Sequence, residues 1–439
     1  MRFVSTRGEA PPAGLAQVLV KGLAPDGGLY LPESWPTYDN VFLASLREQS
    51  PLGIADRIAA PFLSDLPAAD RRSLIADALD FPIPLRRLET VGDSTLSVLE
   101  LFHGPTLAFK DVGARFLARL LAYLLRDEER PLTVLVATSG DTGSAVAQAF
   151  LGVPRTRVVI LFPEGKVSPL QERQFTTLGD NIEALAVDGT FDDCQRMVKE
   201  VFADQELRQE LLLTSANSIS FGRLLPQAFY YFLAASQLPA DAPPPLFSVP
   251  SGNFGNLTAG LVAQRLGLET AGFVAATNRN DVVPEYLENG VFSPRPSVRT
   301  LSNAMDVGNP SNFDRIQALY DGDLAALRRD LRGARFDDDQ TRRAVADVDR
   351  RTGYLLDPHT AVGYLALRQE LERRAEADES PASGIVLATA HPAKFRDGLE
   401  AVIGREIELP GRLAVCLERE RKVRPIKGEA APLIEILRH

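Results

Sequence analysis

Lysine is scarce in this chain. Only residues 21, 110, 166, 199, 394, 422 and 427 are lysine among 48 basic residues, so arginine is the default cation. Lys110 stands in His103-Gly104-Pro105-Thr106-Leu107-Ala108-Phe109-Lys110-Asp111, just ahead of an apolar-periodic stretch. Arginine cannot form an imine or give up its proton, whereas lysine can do both once its pKa is lowered. The positive end of a helix dipole and partial burial would each lower it. Taken alone, a lysine at a helix entrance is also an ordinary surface charge. The segments below are what make Lys110 a candidate nucleophile and proton carrier.

Two glycine turns could hold anions. One is Ala137-Thr138-Ser139-Gly140-Asp141-Thr142-Gly143; the other is Pro250-Ser251-Gly252-Asn253-Phe254-Gly255-Asn256. Glycine permits positive φ and close backbone approach. A helix beginning there offers unpaired N–H groups and a favourable field to a phosphate or carboxylate. The bland alternative is a tight, Ser- or Thr-capped connection. Neither turn has the Gly-Lys-[Ser/Thr] of a P-loop or the Gly-x-Gly-x-x-Gly of a dinucleotide site. A third cluster, Ser215-Ala216-Asn217-Ser218-Ile219-Ser220-Phe221-Gly222-Arg223, joins hydroxyls, an amide and a cation whose fork suits phosphate or carboxylate.

The elements that must place these groups alternate between strand and helix. Leu132 to Ala137, Val158 to Phe162, Ile182 to Val187, Leu246 to Val249, Gly272 to Ala276 and Ile385 to Ala388 read as strands. Helices are expected from Ser144 to Leu151, after Asp192 or Asp193 as cap, and from the Gly252–Asn256 turn through Leu266. This is the pattern of an α/β protein with largely parallel sheets. Residues 1 to about 95 are rich in Pro and Gly and read as a separate N-terminal region, with a turn at Pro25-Asp26-Gly27-Gly28. Pro239 to Pro245 holds four prolines and cannot lie inside a helix. Asp321 to Arg351 reads as exposed, charged helices. Phe229, Tyr230, Tyr231 and Phe232 read as core.

Bulk properties narrow the functional classes. A hydrophobic content of 45% and a charged content of 24% over 439 residues are those of a soluble globular protein. No apolar run reaches the ~18 residues of a membrane helix, and Met1 to Arg7 lack a signal-peptide core. A net charge of −10 disfavours nucleic-acid binding. Cys194 and Cys416 are too far apart in sequence to suggest a disulfide framework or zinc site. His103, His359, His391 and His439 are not spaced as metal ligands, so no metal is expected. The cytoplasm is the simplest location.

One reactive lysine with two anion turns and a polar, cationic cluster suits a phosphorylated aldehyde cofactor plus an anionic substrate. Pyridoxal 5'-phosphate meets that description. The same segments make the chain resemble threonine synthase of the longer bacterial and fungal type, a pyridoxal-phosphate enzyme of the tryptophan-synthase-β fold type. Ala388-Thr389-Ala390-His391-Pro392-Ala393-Lys394-Phe395, Asp26-Gly27-Gly28-Leu29-Tyr30 and Asp357-Pro358-His359-Thr360-Ala361 carry the resemblance further, across nearly the whole chain and in the family's order. Single motifs recur in related lyases; the set together is specific.

The resemblance implies fold type II: an N-terminal extension over 1–95 and a catalytic region over 96–439. That region would hold a smaller α/β domain at roughly 105–225 and a larger one from the rest. It implies that Lys110 joins the cofactor aldehyde and later moves protons. Gly252, Asn253, Phe254, Gly255 and Asn256 would hold the cofactor phosphate, and Thr389 the pyridine nitrogen. Ser139, Gly140, Asp141 and Thr142 would grip the substrate, with Asn217, Ser218 and Arg223 on its phosphate. The implied reaction turns O-phospho-L-homoserine and water into L-threonine and phosphate, in a monomer or homodimer. The nearest rival is a phospholyase of the same family that releases 2-oxobutyrate. A non-catalytic ligand-binding relative would show no turnover. Dehydratases and cysteine synthases need no second phosphate site with an arginine.

Overall fold

Runs such as Leu132-Thr-Val-Leu-Val-Ala137 and Pro245-Leu-Phe-Ser-Val-Pro250 are buried at every residue, as strands covered on both faces must be. A computed structural model describes residues 1–138 and 140–439. Its parallel strands build two sheets. The larger has six strands, in the order Leu331–Arg335, Gly272–Thr277, Pro245–Pro250, Ser383–Ala388, Ser94–Glu100 and Leu85–Val91. All its pairings are parallel except the Leu85–Val91/Ser94–Glu100 hairpin at one edge. The five-stranded sheet runs Arg424–Lys427, Ile182–Asp188, Thr156–Pro163, Leu132–Ala137 and Leu212–Thr214, all parallel. A small antiparallel sheet joins Ala13–Gly14, Arg2–Ser5 and Tyr30–Pro32.

The strands expected from apolar runs form: Leu132–Ala137 with the expected bounds, and the other five extended by one to three residues in total. Three local expectations change. The helix after Leu132–Ala137 begins at Asp141 rather than Ser144. The cap of helix Phe191–Ala203 is Thr190, with Asp193 closing a reciprocal capping box. The Asp321–Arg351 stretch is not helical throughout. Helices Leu324–Asp330 and Asp338–Thr352 flank the edge strand Leu331–Arg335, which buries only Leu331 and Ala334. Its arginines belong to the exposed edge, so apolar patterning hides the strand. Pro239, Pro243 and Pro244 lead into Pro245–Pro250, whose first residue is the fourth proline, consistent with a strand entry.

Helix Phe221–Ser236 lies at the centre of the core, with Phe229, Tyr230, Tyr231 and Phe232 all buried. Helices Pro51–Ala59 and Lys110–Leu124 pack against it. Phe3 meets Phe221 edge to face at 4.8 Å between ring centroids, which ties the N-terminal sheet to the same core. Arg315, fully buried, donates to the carbonyls of Tyr30 and Ile219 and to Asn312 Oδ1, so one guanidinium joins three segments distant in sequence. No helix among the described residues is long and apolar enough to cross a membrane.

Candidate active site

Each candidate segment follows the carboxyl end of a parallel strand and leads into a helix or a helical turn, where ligands of open α/β sheets bind. Lys110 opens helix Lys110–Leu124, whose residues Val112, Phe116, Leu117, Leu120 and Leu121 form its buried face. The turn before it is held on both sides. Asp111 turns back to accept from Thr106 N at 2.8 Å and Thr106 Oγ1 at 2.7 Å. Phe109 N donates to the Thr389 carbonyl at 2.8 Å, and His391 N to the Leu107 carbonyl at 3.0 Å. The Lys110 and Thr389 segments are thus stitched together. Leu107 sits at φ 57, a left-handed conformation that costs a branched residue energy and concentrates at functional sites.

Ser139 lies outside the described residues. The rest of its turn is built around Thr138, whose Oγ1 accepts from Gly140 N at 3.0 Å and Gly143 N at 2.8 Å. Gly140 has φ 147, and a Cβ there would lie 2.7 Å from Gln171 Oε1, so only glycine fits. Thr142 is half-buried. Asp141 begins helix Asp141–Phe150 and its carboxylate faces cations and an amide of the chain: Oδ1 is 2.6 Å from Lys394 Nζ and 2.8 Å from Gln171 Nε2, and Oδ2 is 3.6 Å from Lys110 Nζ. Any contact of this turn with a substrate therefore falls to its backbone and hydroxyls rather than to the Asp141 side chain.

The second turn enters helix Gly255–Arg265 through Phe254, another non-glycine residue in the left-handed region, at φ 60. Among the described residues, none of the backbone N–H groups from Gly252 to Asn256 donates elsewhere in the chain. The turn's side chains brace it instead. Asn256 Nδ2 donates to the Pro250 carbonyl at 2.8 Å, and Asn253 Oδ1 accepts from Ser311 N at 2.6 Å. Asn253 Nδ2 reaches Ser218 Oγ at 2.5 Å, which brings the third cluster against this turn. Arg223 is buried, with Nη1 on the Ala216 carbonyl at 2.8 Å. Its Nε, Asn217 Oδ1 and Ser220 Oγ are buried without a partner. Such unpaired atoms in one cluster are costly unless a ligand completes them.

Burial pushes the Lys110 ammonium below its usual range, the nearby Lys394 and Arg223 charges add to this, and Asp141 opposes it. Burial alone would raise the Asp141 carboxyl, but Lys394 and Lys110 outweigh it and keep the group ionised. Burial lifts Asp111 to about 6 and lowers Arg223 to about 10.

The scarcity of lysine that singles out Lys110 applies equally to Lys394, to which the motifs assign no role. Gln171 and Gln174, which bond the same carboxylate and the Thr106 carbonyl, carry no motif. His103 and His391 satisfy local groups: His103 Nε2 pairs with Glu100 at 2.7 Å, and His391 Nδ1 accepts from Ala393 N at 3.1 Å. His359 Nε2 accepts from Ala304 N at 3.1 Å, with its Nδ1 on Asp357 at 2.8 Å. This braces the Ala304–Met305 backbone, which touches Gly252 so closely that a Cβ would lie 2.6 Å from the Ala304 carbonyl oxygen. The site offers a lysine of lowered basicity, a rank of unspent N–H donors and an unpaired guanidinium nitrogen. That donor set fits a phosphorylated aldehyde.

Comparison with known proteins agrees. A family model described as "Pyridoxal-phosphate dependent enzyme" matches residues 79–389. Models for the threonine synthase N terminus and C-terminal region match 2–79 and 360–435. The threonine synthase of Serratia marcescens is 44% identical over 420 residues, covering 95% of this chain and 94% of that protein. The crystal structure of Escherichia coli threonine synthase superposes with a TM-score of 0.91 at 41% identity, covering 100% and 99% of the two chains. A PLP-bound threonine synthase from Brucella melitensis gives 0.90 at 39%, with the same coverage. The chain belongs to the threonine synthases, lyases that depend on pyridoxal 5'-phosphate.

Proposed function

We propose that the substrate is O-phospho-L-homoserine, converted with water to L-threonine and phosphate. The observation that carries this is the pairing of two separate anion sites with one lysine: the free N–H groups of 252–256 on one side, and the unpaired Arg223 Nε with Asn217 and Ser220 on the other. One phosphate ester needs one such site. A phosphorylated cofactor beside a phosphorylated substrate needs both.

In this reading Gly252, Asn253, Phe254, Gly255 and Asn256 hold the cofactor phosphate, and the Thr389 hydroxyl faces the pyridine nitrogen. Arg223, Asn217 and Ser218 bind the substrate phosphate, while Ser139, Gly140, Asp141 and Thr142 orient the amino-acid end through N–H groups and hydroxyls. The cofactor, when bound, withdraws electrons from the carbons of the attached amino acid. Lys110 would hold the cofactor aldehyde and carry the Cα proton, tasks that require an amine able to be neutral at working pH. Burial of Arg223 strengthens its attraction to the departing phosphate.

We also infer an extension over 1–95 and a catalytic region over 96–439 with a smaller α/β domain at roughly 105–225. A cytoplasmic monomer or homodimer accords with two unpaired cysteines and net charge −10. The test is an assay with O-phospho-L-homoserine. Equal release of threonine and phosphate is expected; phosphate with 2-oxobutyrate would identify a phospholyase instead. Borohydride should fix the cofactor on Lys110, and Lys110→Ala should lose both that label and turnover. Full activity in the variant would remove the assignment.

A further inference from the structure

Two lysines converge on one carboxylate, and their surroundings differ. The Lys394 side chain has 0% exposure; its Nζ lies 2.6 Å from Asp141 Oδ1 and donates to the Thr106 carbonyl at 2.9 Å. The Lys110 side chain keeps 15% exposure, and its contact with Asp141 Oδ2, at 3.6 Å, is longer than a hydrogen bond. Gln171 Nε2 also donates to Oδ1, at 2.8 Å, so the carboxylate is turned toward Lys394.

We propose that Lys394 is a positioning residue for the proposed chemistry: by occupying Oδ1 of Asp141 it leaves Lys110 as the lysine of the pair that can give up its proton. The inference rests on reading Lys110 as the cofactor lysine. A buried ammonium stays charged only with a close anion and filled donor positions. Lys394 has both a short ion pair and a carbonyl, whereas Lys110 has one loose contact and an opening. Were Lys394 absent, Asp141 would be left with Lys110 as its only ammonium and would hold it protonated.

The charged groups facing this pair come from every neighbouring element. Arg223 approaches from helix Phe221–Ser236 and disfavours a charged Lys110. Asp111, one residue along, is turned away onto Thr106. His359 lies near Asp141 at the start of helix Pro358–Glu376, with its ring nitrogens already on Ala304 N and Asp357. None of these can replace the Lys394 contact.

The test uses the full-length chain freed of cofactor. Trace acetylation across pH, resolved peptide by peptide by mass spectrometry, gives the pH at which each lysine amine is half-reactive, with exposed Lys199 as internal reference. K394M should move the Lys110 midpoint upward by about one unit or more, because a like charge is lost and an opposite one freed. K394M/D141N should return it to the wild-type midpoint or lower, and Lys199 should not move. A residue that only fills space would leave the Lys110 midpoint in place. An unmoved Lys110 in K394M, or a double variant that matches the single, would overturn the proposal. If K394M does not fold, D141N alone should lower the Lys110 midpoint, and no change there would be equally fatal. The underlying reading has its own failure mode. Borohydride reduction of the wild-type holoenzyme would then fix the cofactor on a lysine other than Lys110, whatever the acetylation profiles give.

Discussion

Arg223 has Nη1 on the Ala216 carbonyl and a buried Nε with no partner. A charge-assisted bond to a phosphate oxygen is worth about 1.5–3 kcal/mol. Arg223→Ala should therefore cut kcat/KM for O-phospho-L-homoserine by roughly 10- to 100-fold, and an unchanged value would remove the arginine from phosphate binding. Asp111 supplies a pH test. Its carboxyl sits at about 6 because of burial, above the ordinary 3.8. The folded state thus binds this proton more tightly than the unfolded chain. Stability from this group is fully present below pH ~4 and falls as pH rises to ~6, by roughly 3 kcal/mol. Asp111→Asn should flatten the slope of Tm against pH between 4 and 6, and parallel curves for the two proteins would contradict the assignment. The reactive type of Lys110 was legible in the sequence, from lysine scarcity and the apolar stretch that follows. Its partner was not, because Asp141 appeared there only as part of an anion turn.

Among the elements, helices Lys110–Leu124 and Phe221–Ser236 meet at Gly113. A Cβ there would lie 2.9 Å from the Arg223 carbonyl oxygen. In an exposed helix Gly→Ala gains up to about 1 kcal/mol. Here the methyl group must push the two helices apart, which typically costs about 1–3 kcal/mol. Gly113→Ala should lower Tm and raise KM together, since Lys110 and Arg223 sit on the two helices being separated. A stabilised variant with normal KM would show that the contact yields freely. Strand and helix positions were readable because their signals are local: apolar runs for doubly covered strands, and capping residues for helix starts. Leu331–Arg335 escaped because an edge strand needs only one apolar face, and its Arg-Gly-Ala-Arg run resembles a charged linker.

For the whole molecule, Arg315 matters most beyond the site. It joins Tyr30 of the N-terminal sheet, Ile219 beside Asn217 and Ser218, and Asn312, whose Nδ2 donates to the Asn253 carbonyl at 3.1 Å. Arg315→Met would leave three buried acceptors unpaired and should cost roughly 2–4 kcal/mol. The urea midpoint should fall, and KM for the phosphorylated substrate should rise because two anion-binding segments lose their common brace. If both stay at wild-type values, the N-terminal region is not coupled to the site through this residue. Residues 1–95 carry no side-chain cluster suggestive of chemistry. The coupling runs through an arginine in the distant stretch 313–319 that carries no motif.

Local order settled the class of protein. Alternating apolar strands and capped helices, two glycine turns and a rare lysine were sufficient to indicate an α/β enzyme using a phosphorylated aldehyde. These features depend on residues within a few positions of one another. The grouping of Lys110 with Lys394 on Asp141, the bracing of Gly252 by Ala304 and His359, and the link from Tyr30 to Ile219 depend on strand order and helix packing. A buried charge takes its behaviour from whatever the fold places within a few ångströms of it. No spacing along the chain specifies those neighbours.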